Sequence, residues 1–279
     1  MPFRKPITLI INADDYGYFP CISQGIIDAA NAGCLTACGI FANSPNLASQ
    51  LEWLEPVKNL DIGVHLNLTY GQPMSAIMLE KLSPWEGRFP GIALMCQMVV
   101  SGKITIQDVR SEWNAQIQAC KNKKLQFLNA HEHIHMLPVL FPVALELARD
   151  YSIPYVRLTQ ADWLLPLNGL AIIRNGLMQV MQVINQRRVK TRSPHFLGLS
   201  RSGKLDYEYL NRIFSRLQPG ESYELMCHPG HFDSHEVLDH KLKSYHDWEG
   251  ELALLLNPNV HALYEKYHIR LSNFQSLTE

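Results

Sequence analysis

The strongest constraint on the fold is an alternation of short, β-branched apolar runs with longer stretches of helical periodicity. Residues 7–13 are mostly apolar, as expected of a strand that is buried on both faces. Residues 22–32 then place apolar side chains at helical spacing, and Gly33 is a typical helix stop. A second strand and helix follow at residues 35–42 and 47–54. This alternation indicates parallel strands that are linked by helices.

The same pattern continues to the end of the chain, without a linker or a repeat. We predict a single α/β domain over residues 1–279, an irregular (β/α) TIM-like barrel with seven or eight parallel strands. The region 70–90 is predicted to be a loop, either a lid or substrate wall or a surface insertion. The remaining strands are predicted at residues 60–66, 125–130, 154–158, 196–199, 223–227 and 268–271, and the remaining helices at 104–119, 138–149, 238–256 and in the middle of 164–192.

Composition excludes several classes of function. The net charge of −1 gives no general attraction to nucleic acid or to an anionic membrane, so we expect neither as a partner. The basic run at residues 187–192 is short and lacks interleaved aromatic residues, which favours a solvated loop. The six cysteines form no close Cys-x-x-Cys pair and no secretory signal precedes the first strand, so we expect reduced thiols and a cytoplasmic protein. Neither a phosphate-binding glycine motif nor a Gly-x-Ser-x-Gly elbow is present.

Two adjacent carboxylates, Asp14 and Asp15, follow the first predicted strand. Gly17 indicates that the chain turns here, so both side chains could reach the same edge of the barrel. One carboxylate could then bind a metal ion while the other accepts a proton. The alternative is a helix cap or turn pair, since Asp is common in both places.

Histidines follow two further strands. His65 lies near the end of the third strand, and His131, His133 and His135 follow the strand at residues 125–130. On an extended strand these three would share one face, with neighbours about 7 Å apart and the outer pair about 13 Å apart. We therefore expect one or two ligands from this cluster and the others in the substrate pocket. One carboxylate and two imidazoles at the carboxyl edge of a barrel predict a divalent metal site of a hydrolase.

A second interpretation of the same histidines is the zinc-protease helix motif His-Glu-x-x-His, which residues 131–135 also satisfy. Its context is poor, because Pro138 follows too soon for a long helix and the preceding residues resemble a strand. It would also leave Asp15 and His65 without a role.

Two more side chains are candidates for the chemistry. His228 follows the strand at residues 223–227 and could protonate a leaving amine, although it could equally be a turn residue. Arg157 could orient a carboxylate or a substrate oxygen through its planar guanidinium, or form a structural ion pair.

Four ordered motifs together resemble the YdjC-like carbohydrate deacetylases, and this similarity extends from residue 8 to about residue 233. The resemblance implies an irregular (β/α) barrel that removes an acetyl group from an N-acetylated mono- or oligosaccharide. A homodimer is an expectation at family level. The motifs are Asn12-Ala13-Asp14-Asp15-Tyr16-Gly17, Gly63-Val64-His65-Leu66-Asn67-Leu68-Thr69, His131-Glu132-His133-Ile134-His135 and Glu224-Leu225-Met226-Cys227-His228-Pro229-Gly230.

The resemblance also assigns roles. It implies a divalent ion, Mg²⁺ or Zn²⁺, held by Asp15, His65 and His131, with Asp14 as base and His228 as candidate acid. The regions 70–102 and 164–192 show no pattern that the resemblance can place, and they are expected to shape substrate choice. A sugar-binding barrel with a structural ion is the non-enzyme alternative. The side chains that we expect around the substrate are His133, His135, Arg157, Tyr16 and Trp163.

Overall fold

The structure is a computed structural model that describes residues 5–164, 169–189 and 193–277. The strands are β1 (Ile7–Tyr16), β2 (Ala37–Ile40), β3 (Asp61–Leu66), β4 (Leu125–Ala130), β5 (Tyr155–Val156), β6 (His195–Leu197), β7 (Ser222–Cys227) and β8 (Ile269–Leu271). The helices are α1 (Pro20–Asn31), α2 (Leu47–Trp53), α3 (Ala76–Lys81), α4 (Ile92–Val100), α5 (Ile106–Ala119), α6 (Phe141–Asp150), α7 (Gly169–Gln186), α8 (Tyr207–Phe214), α9 (His240–Tyr245), α10 (Trp248–Leu256) and α11 (Pro258–Lys266).

The strands form one curled parallel sheet in the order β5-β4-β3-β2-β1-β7-β6. The eighth strand, β8, pairs with the first residues of β1, whereas β2 pairs with its later residues. Within the described residues no pairing joins β5 to β6, so the sheet is a half-barrel and the predicted full TIM-like barrel is not confirmed. Both edge strands are only two or three residues long, which leaves little ladder for closure.

The amino ends of the strands are sealed by an apolar floor inside the curl of the sheet. Phe274, from the segment after β8, stacks on Tyr155 at 4.8 Å and lies 4.5 Å from Phe127, measured between ring centroids. Ile10 and Ala37 complete this buried cluster. Water is therefore excluded from one end of the interior, and the other end carries the polar side chains.

Several helices differ from the sequence prediction. The single helix expected at residues 238–256 is two helices, α9 and α10, because His246 has an extended backbone and the Asp247 carboxylate caps α10 by accepting the Gly250 N–H. The predicted loop at 70–90 contains α3, and α4, α8 and α11 were not predicted. Helix α7 confirms the helix expected inside 164–192, although residues 165–168 and 190–192 lie outside the described part. Within the described ranges, no helix is both long and apolar enough to cross a bilayer.

Candidate metal and catalytic site

A bulge near the end of β1 brings the two adjacent carboxylates to the same side. Ala13 pairs with Cys38 and Tyr16 pairs with Ile40, so β1 has one more residue than β2 over this stretch. The extra residue bends the strand, and Asp15 takes a φ of 69°, in the left-handed region that residues other than glycine rarely adopt. Strain of this kind persists only where the surroundings enforce it, and it is common at functional sites.

Asp15 meets two imidazoles at the carboxyl edge of the sheet. Its Oδ1 lies 3.2 Å from His65 Nε2 and 2.9 Å from His131 Nδ1. One ligand atom from each of the three residues lies within 4.8 Å of the others, and all three side chains are buried. The structure thus places together the three residues that the sequence analysis assigned to the metal.

The electrostatics of this cluster suit exchange of a proton for a cation. Burial alone would raise the pKa of the Asp15 carboxyl, but His131 and His65 hold that pKa well below its usual range. Burial likewise opposes the charging of His131, yet Asp15 raises the His131 pKa to about 9. The second oxygen of Asp15, Oδ2, is buried without a hydrogen-bond partner. An unpartnered carboxylate oxygen beside two imidazoles fits a divalent cation.

The position of each imidazole is set by its strand. His65 and Asn129 are direct neighbours on β3 and β4, and His65 Nδ1 lies 2.8 Å from Asn129 Oδ1. Because the Asn129 amide nitrogen donates to Asp14, its oxygen accepts from His65 Nδ1, which leaves Nε2 free to bind a cation. After β4 ends at Ala130, His131 turns inward, and Glu132 and His133 adopt left-handed φ values of 50° and 55°.

Asp14 has a different set of partners. Its Oδ1 accepts hydrogen bonds from Asn12 Nδ2 and Asn129 Nδ2, both at 2.8 Å. Arg157 grips it with two nitrogens, at 2.6 Å to Oδ2 and 2.9 Å to Oδ1. Burial would raise the pKa of this carboxyl, but Arg157 and His65 hold it well below its usual range. Asp14 is therefore a fixed, ionised acceptor beside the cluster of Asp15, His65 and His131.

Arg157 is completely buried, and its remaining donors are directed to a second acid. Its Nε donates to Glu224 Oε1 at 2.8 Å, and Tyr155 Oη donates to Glu224 Oε2 at 3.2 Å. Of the roles predicted for Arg157, the geometry supports orientation of a carboxylate. Contact with a substrate oxygen is not supported, because the guanidinium has no exposed surface.

His228 lies directly after β7, on the opposite side of β1 from His65. Its backbone N–H donates to Glu251 Oε2 at 2.6 Å, and its ring packs against His246 at 4.9 Å between centroids. Trp248 also stacks on His246, at 4.9 Å between centroids. Burial lowers the pKa of His228 and raises the pKa of Glu251 to about 7. His228 Nδ1 is buried without a hydrogen-bond partner and lies 4.0 Å from Glu251 Oε2.

Three side chains predicted around the substrate are buried instead. His135 Nε2 bonds to the Arg157 carbonyl at 2.9 Å, and His133 lies 3.3 Å from the Thr159 hydroxyl. The expected shared face of the histidines is wrong, because the strand ends before His131. Tyr16 is completely buried and donates to the Gln50 carbonyl, so the predicted stacking of Tyr16 on a sugar is also wrong.

Trp163 is the exception among the predicted substrate contacts. It is 49 % exposed, its indole lies 3.5 Å from Gln179 Oε1, and its contact with substrate stays a prediction. It lines a cavity of about 530 Å³ that also includes His195, Arg216 and Tyr223.

The zinc-protease interpretation requires one continuous α-helix over residues 131–135. The segment His131–Met136 instead forms a 3₁₀ turn that is interrupted by the left-handed residues Glu132 and His133. His131 faces Asp15, whereas His135 faces the Arg157 carbonyl. The structure does not support this alternative, since the two histidines do not face one site.

Four polar residues of the site were not predicted to have a role. Asn12, Asn129, Glu224 and Glu251 are all fully or almost fully buried. For three of them a signal exists, because Asn12, Asn129 and Glu224 lie an even number of residues before Asp14, His131 and His228 on their strands. Since side chains alternate along a strand, these polar residues share the interior face. No such signal marks Glu251, which lies on α10.

Comparison with known proteins identifies the family. The model of the family described as YdjC-like protein matches residues 8–266. A carbohydrate deacetylase of Clostridium beijerinckii is 26% identical over 96% of this chain and 99% of its own length. A carbohydrate deacetylase of Enterococcus faecalis is 27% identical, over 96% and 97%. A chitooligosaccharide deacetylase of Yersinia pestis is 26% identical, over 95% and 97%.

A solved structure shows the same fold. The crystal structure of a protein from Enterococcus faecalis, named only provisionally for cleavage of cellobiose phosphate, superposes with a TM-score of 0.76 and 25% identity. The superposition covers 98% of this chain and 99% of the other. The family match and these full-length similarities confirm the resemblance seen in the sequence motifs: the chain belongs to the YdjC-like protein family.

Proposed function

We propose that this protein is a metal-dependent hydrolase that removes the acetyl group from an N-acetylated mono- or oligosaccharide. The observation that carries the proposal is the convergence of Asp15, His65 and His131 beside Asp14, a carboxylate that is held ionised. The cluster offers ligands for a cation, and the neighbouring carboxylate is in the unprotonated form that a general base requires, so the pair has the groups needed to activate water.

The chain is an enzyme, a hydrolase of amide C–N bonds on carbohydrate. Its full-length relatives are named carbohydrate deacetylase and chitooligosaccharide deacetylase, and they cover nearly all of it. Which sugar it acts on, and with which ion, belongs to the proposal.

Asp15, His65 and His131 would hold the divalent ion, with Mg²⁺ and Zn²⁺ as the candidates for this mixed oxygen and nitrogen set. When bound, the ion supplies Lewis acidity toward the acetamide carbonyl oxygen. Asn129 keeps the His65 ring in its ligand orientation through the hydrogen bond at Nδ1.

Asp14 acts as the general base in this proposal. It accepts the proton of the attacking water at one of its two oxygens. The Arg157 guanidinium and two asparagine amides hold the carboxylate in one orientation, with three donors on Oδ1 and one on Oδ2. Glu224 in turn fixes Arg157 from below.

His228 acts as the general acid that protonates the leaving amine. Burial lowers its pKa by more than Asp15 and Asp14 raise it, so its imidazolium form gives up a proton more readily than a free imidazolium does. We expect His228→Ala to lower kcat by about 10²-fold with a smaller change in KM. An unchanged kcat would remove His228 from the mechanism.

The function is tested by measuring acetate release from a series of N-acetylated oligosaccharides, with and without a chelator. We expect release that stops with chelator and returns on addition of Mg²⁺ or Zn²⁺. Sugar binding without acetate release would support the non-catalytic alternative. Peptide cleavage in the same assay would support the protease alternative and overturn the proposal.

A further inference from the structure

Helix α7 exposes an aliphatic face, where an ordinary surface helix exposes a polar one. Between residues 171 and 184 every exposed side chain is aliphatic, with exposed fractions between 41% and 62%. A surface helix normally turns its charged residues to water. We call this set the aliphatic stripe, and it consists of Ile172, Ile173, Leu177, Val180, Val183 and Ile184.

The opposite face of α7 is held by polar bonds. Asn185 Nδ2 donates to the Met136 carbonyl at 2.7 Å, and Asn175 Nδ2 donates to the Asp162 carbonyl. Both asparagines are completely buried. Rotation of the helix to bury the stripe would break these hydrogen bonds in the interior, at a substantial cost for each. The outward direction of the stripe is therefore fixed by the fold.

The helix lies on the side of the sheet that carries the candidate site. Met136 ends the turn that begins at His131, and the Leu199 carbonyl, which follows β6, accepts a hydrogen bond from Arg174. Both contacts come from segments at the carboxyl ends of strands. An 18-residue helix is about 27 Å long, so α7 spans much of this face.

Charge is strongly segregated along the part of the sequence that contains the stripe. Between Asp162 and Asp206 the sequence contains no acidic residue, and it contains seven lysines and arginines. Because the whole chain has a net charge of −1, the remainder carries the opposite excess. Two of the seven, Arg187 and Arg188, are exposed and directly follow α7. The seven are Arg174, Arg187, Arg188, Lys190, Arg192, Arg201 and Lys204.

We propose that the aliphatic stripe docks on the surface of an anionic lipid bilayer, with α7 lying in the plane of the interface. An aliphatic helix face flanked by cations is the arrangement that binds at the headgroup boundary. The net charge of the whole chain concealed this feature because it averages over two regions of opposite sign. Docking turns the face with the candidate site toward the bilayer.

Two other occupants fit less well. A second copy of the chain, docked stripe to stripe, would bring two positively charged segments together. The stripe alone offers on the order of 500 Å², below the roughly 800 Å² per partner of a standard interface. Nucleic acid would match the charge, but the stripe has no aromatic side chain on which bases could stack.

The test is flotation of the full chain with vesicles of phosphatidylglycerol and phosphatidylcholine in equal parts, compared with pure phosphatidylcholine. We expect binding to the mixed vesicles that weakens as salt is raised. Leu177→Glu should weaken binding by about tenfold or more, and Arg187→Glu by about fivefold. The matched control is Val100→Glu on α4, where an equally aliphatic side chain is 75% exposed, and it should keep wild-type binding.

Circular dichroism establishes that each variant is folded, and Arg187→Glu keeps the test valid if Leu177→Glu does not fold. The proposal is overturned if the wild-type chain does not float with the mixed vesicles, or if Val100→Glu loses as much binding as Leu177→Glu. It is also overturned if sedimentation shows self-association that Leu177→Glu abolishes while no vesicle binds, since a second copy would then occupy the stripe.

Discussion

Asp14 and Asp15 are neighbours in the chain, yet their surroundings differ in kind. Asp14 accepts four hydrogen bonds from amide and guanidinium groups that cannot leave. Asp15 faces two imidazoles, and one of its oxygens has no partner. Both pKa values are held low, but by a permanent cation at Asp14 and by a removable proton at Asp15.

The difference shows how one residue type performs two tasks. An arginine cannot lose its charge, so it keeps Asp14 ionised without being displaced. A histidine can lose its proton and offer a lone pair, so His131 can exchange that proton for a metal ion that it binds together with Asp15. The division of labour is set by the partners, and the bulge in β1 only brings the two carboxylates within reach of them.

The largest expected effect on activity comes from substituting the two carboxylates one at a time. Asp14→Asn should lower kcat by about 10³-fold, because the base is lost, while calorimetry still detects metal binding. Asp15→Asn should lose metal binding together with activity. Equal loss of metal binding in both variants would show that the two carboxylates do not have separate roles.

A second effect concerns stability. Arg157→Met leaves Asp14 and Glu224 buried without their cation, and we expect a loss of about 3–5 kcal/mol in the free energy of unfolding, measured by denaturant titration. The matched control is Arg110→Met, whose partners Glu146 and Asp150 are exposed, with a cost below about 1 kcal/mol.

The pH dependence of the Arg157→Met effect has a defined sign. Because the folded pKa of Asp14 lies below its unfolded value, its contribution is present above that unfolded value and is lost as the pH falls. The difference between wild type and variant should therefore shrink below about pH 4. A constant difference would show that Arg157 stabilises the fold by packing alone.

A smaller effect concerns the proton on His131. Its pKa of about 9 means that the metal-free protein holds this proton at neutral pH, so the ion must displace it. Metal affinity should rise by up to about tenfold per pH unit below that pKa. Calorimetry in two buffers with different heats of protonation should detect about one proton released per ion near pH 7. Binding that releases no proton would place the ion away from His131.

The smallest expected effect is that of Tyr16→Phe, next to Asp15 in the sequence. The lost hydrogen bond to the Gln50 carbonyl should cost about 1 kcal/mol in a thermal or denaturant melt, with kcat unchanged. A large fall in kcat would support the predicted stacking of Tyr16 on a sugar, which the buried position of this ring contradicts.

The strand pattern alone predicts that a carboxylate and two imidazoles meet at one edge of the sheet, and the resemblance to the YdjC-like carbohydrate deacetylases supplies Asp15, His65 and His131 as the ligands. Buried runs with polar residues at their carboxyl ends predict parallel strands, and parallel strands open onto one edge. The curl of the sheet then brings the ends of β1 and β4, which are three positions apart in the strand order, to the same candidate cation site.

Other features depend on register and backbone detail that periodicity does not contain. The bulge at Asp15 and the left-handed turn at Glu132 are single-residue events, and they decide which way Asp14, His131 and His135 point. The ion pair of Arg157 with Glu224 could be predicted only by knowing which strands face each other across the interior. The break at His246 escaped detection because apolar residues continue on both sides of it.

The position of Phe274 has a consequence for the order of events during synthesis. All the side chains assigned to catalysis leave the ribosome before residues 269–274, which supply β8 and the ring that covers the interior from below. Before that ring packs on Tyr155 and Phe127, we expect water to reach Arg157 and Glu224 from this end of the interior and to screen the charges around Asp14. A nascent chain should therefore form its sheet early and exclude water from its interior last. Removal of residues 269–274 should abolish activity while most of the helices and strands still form.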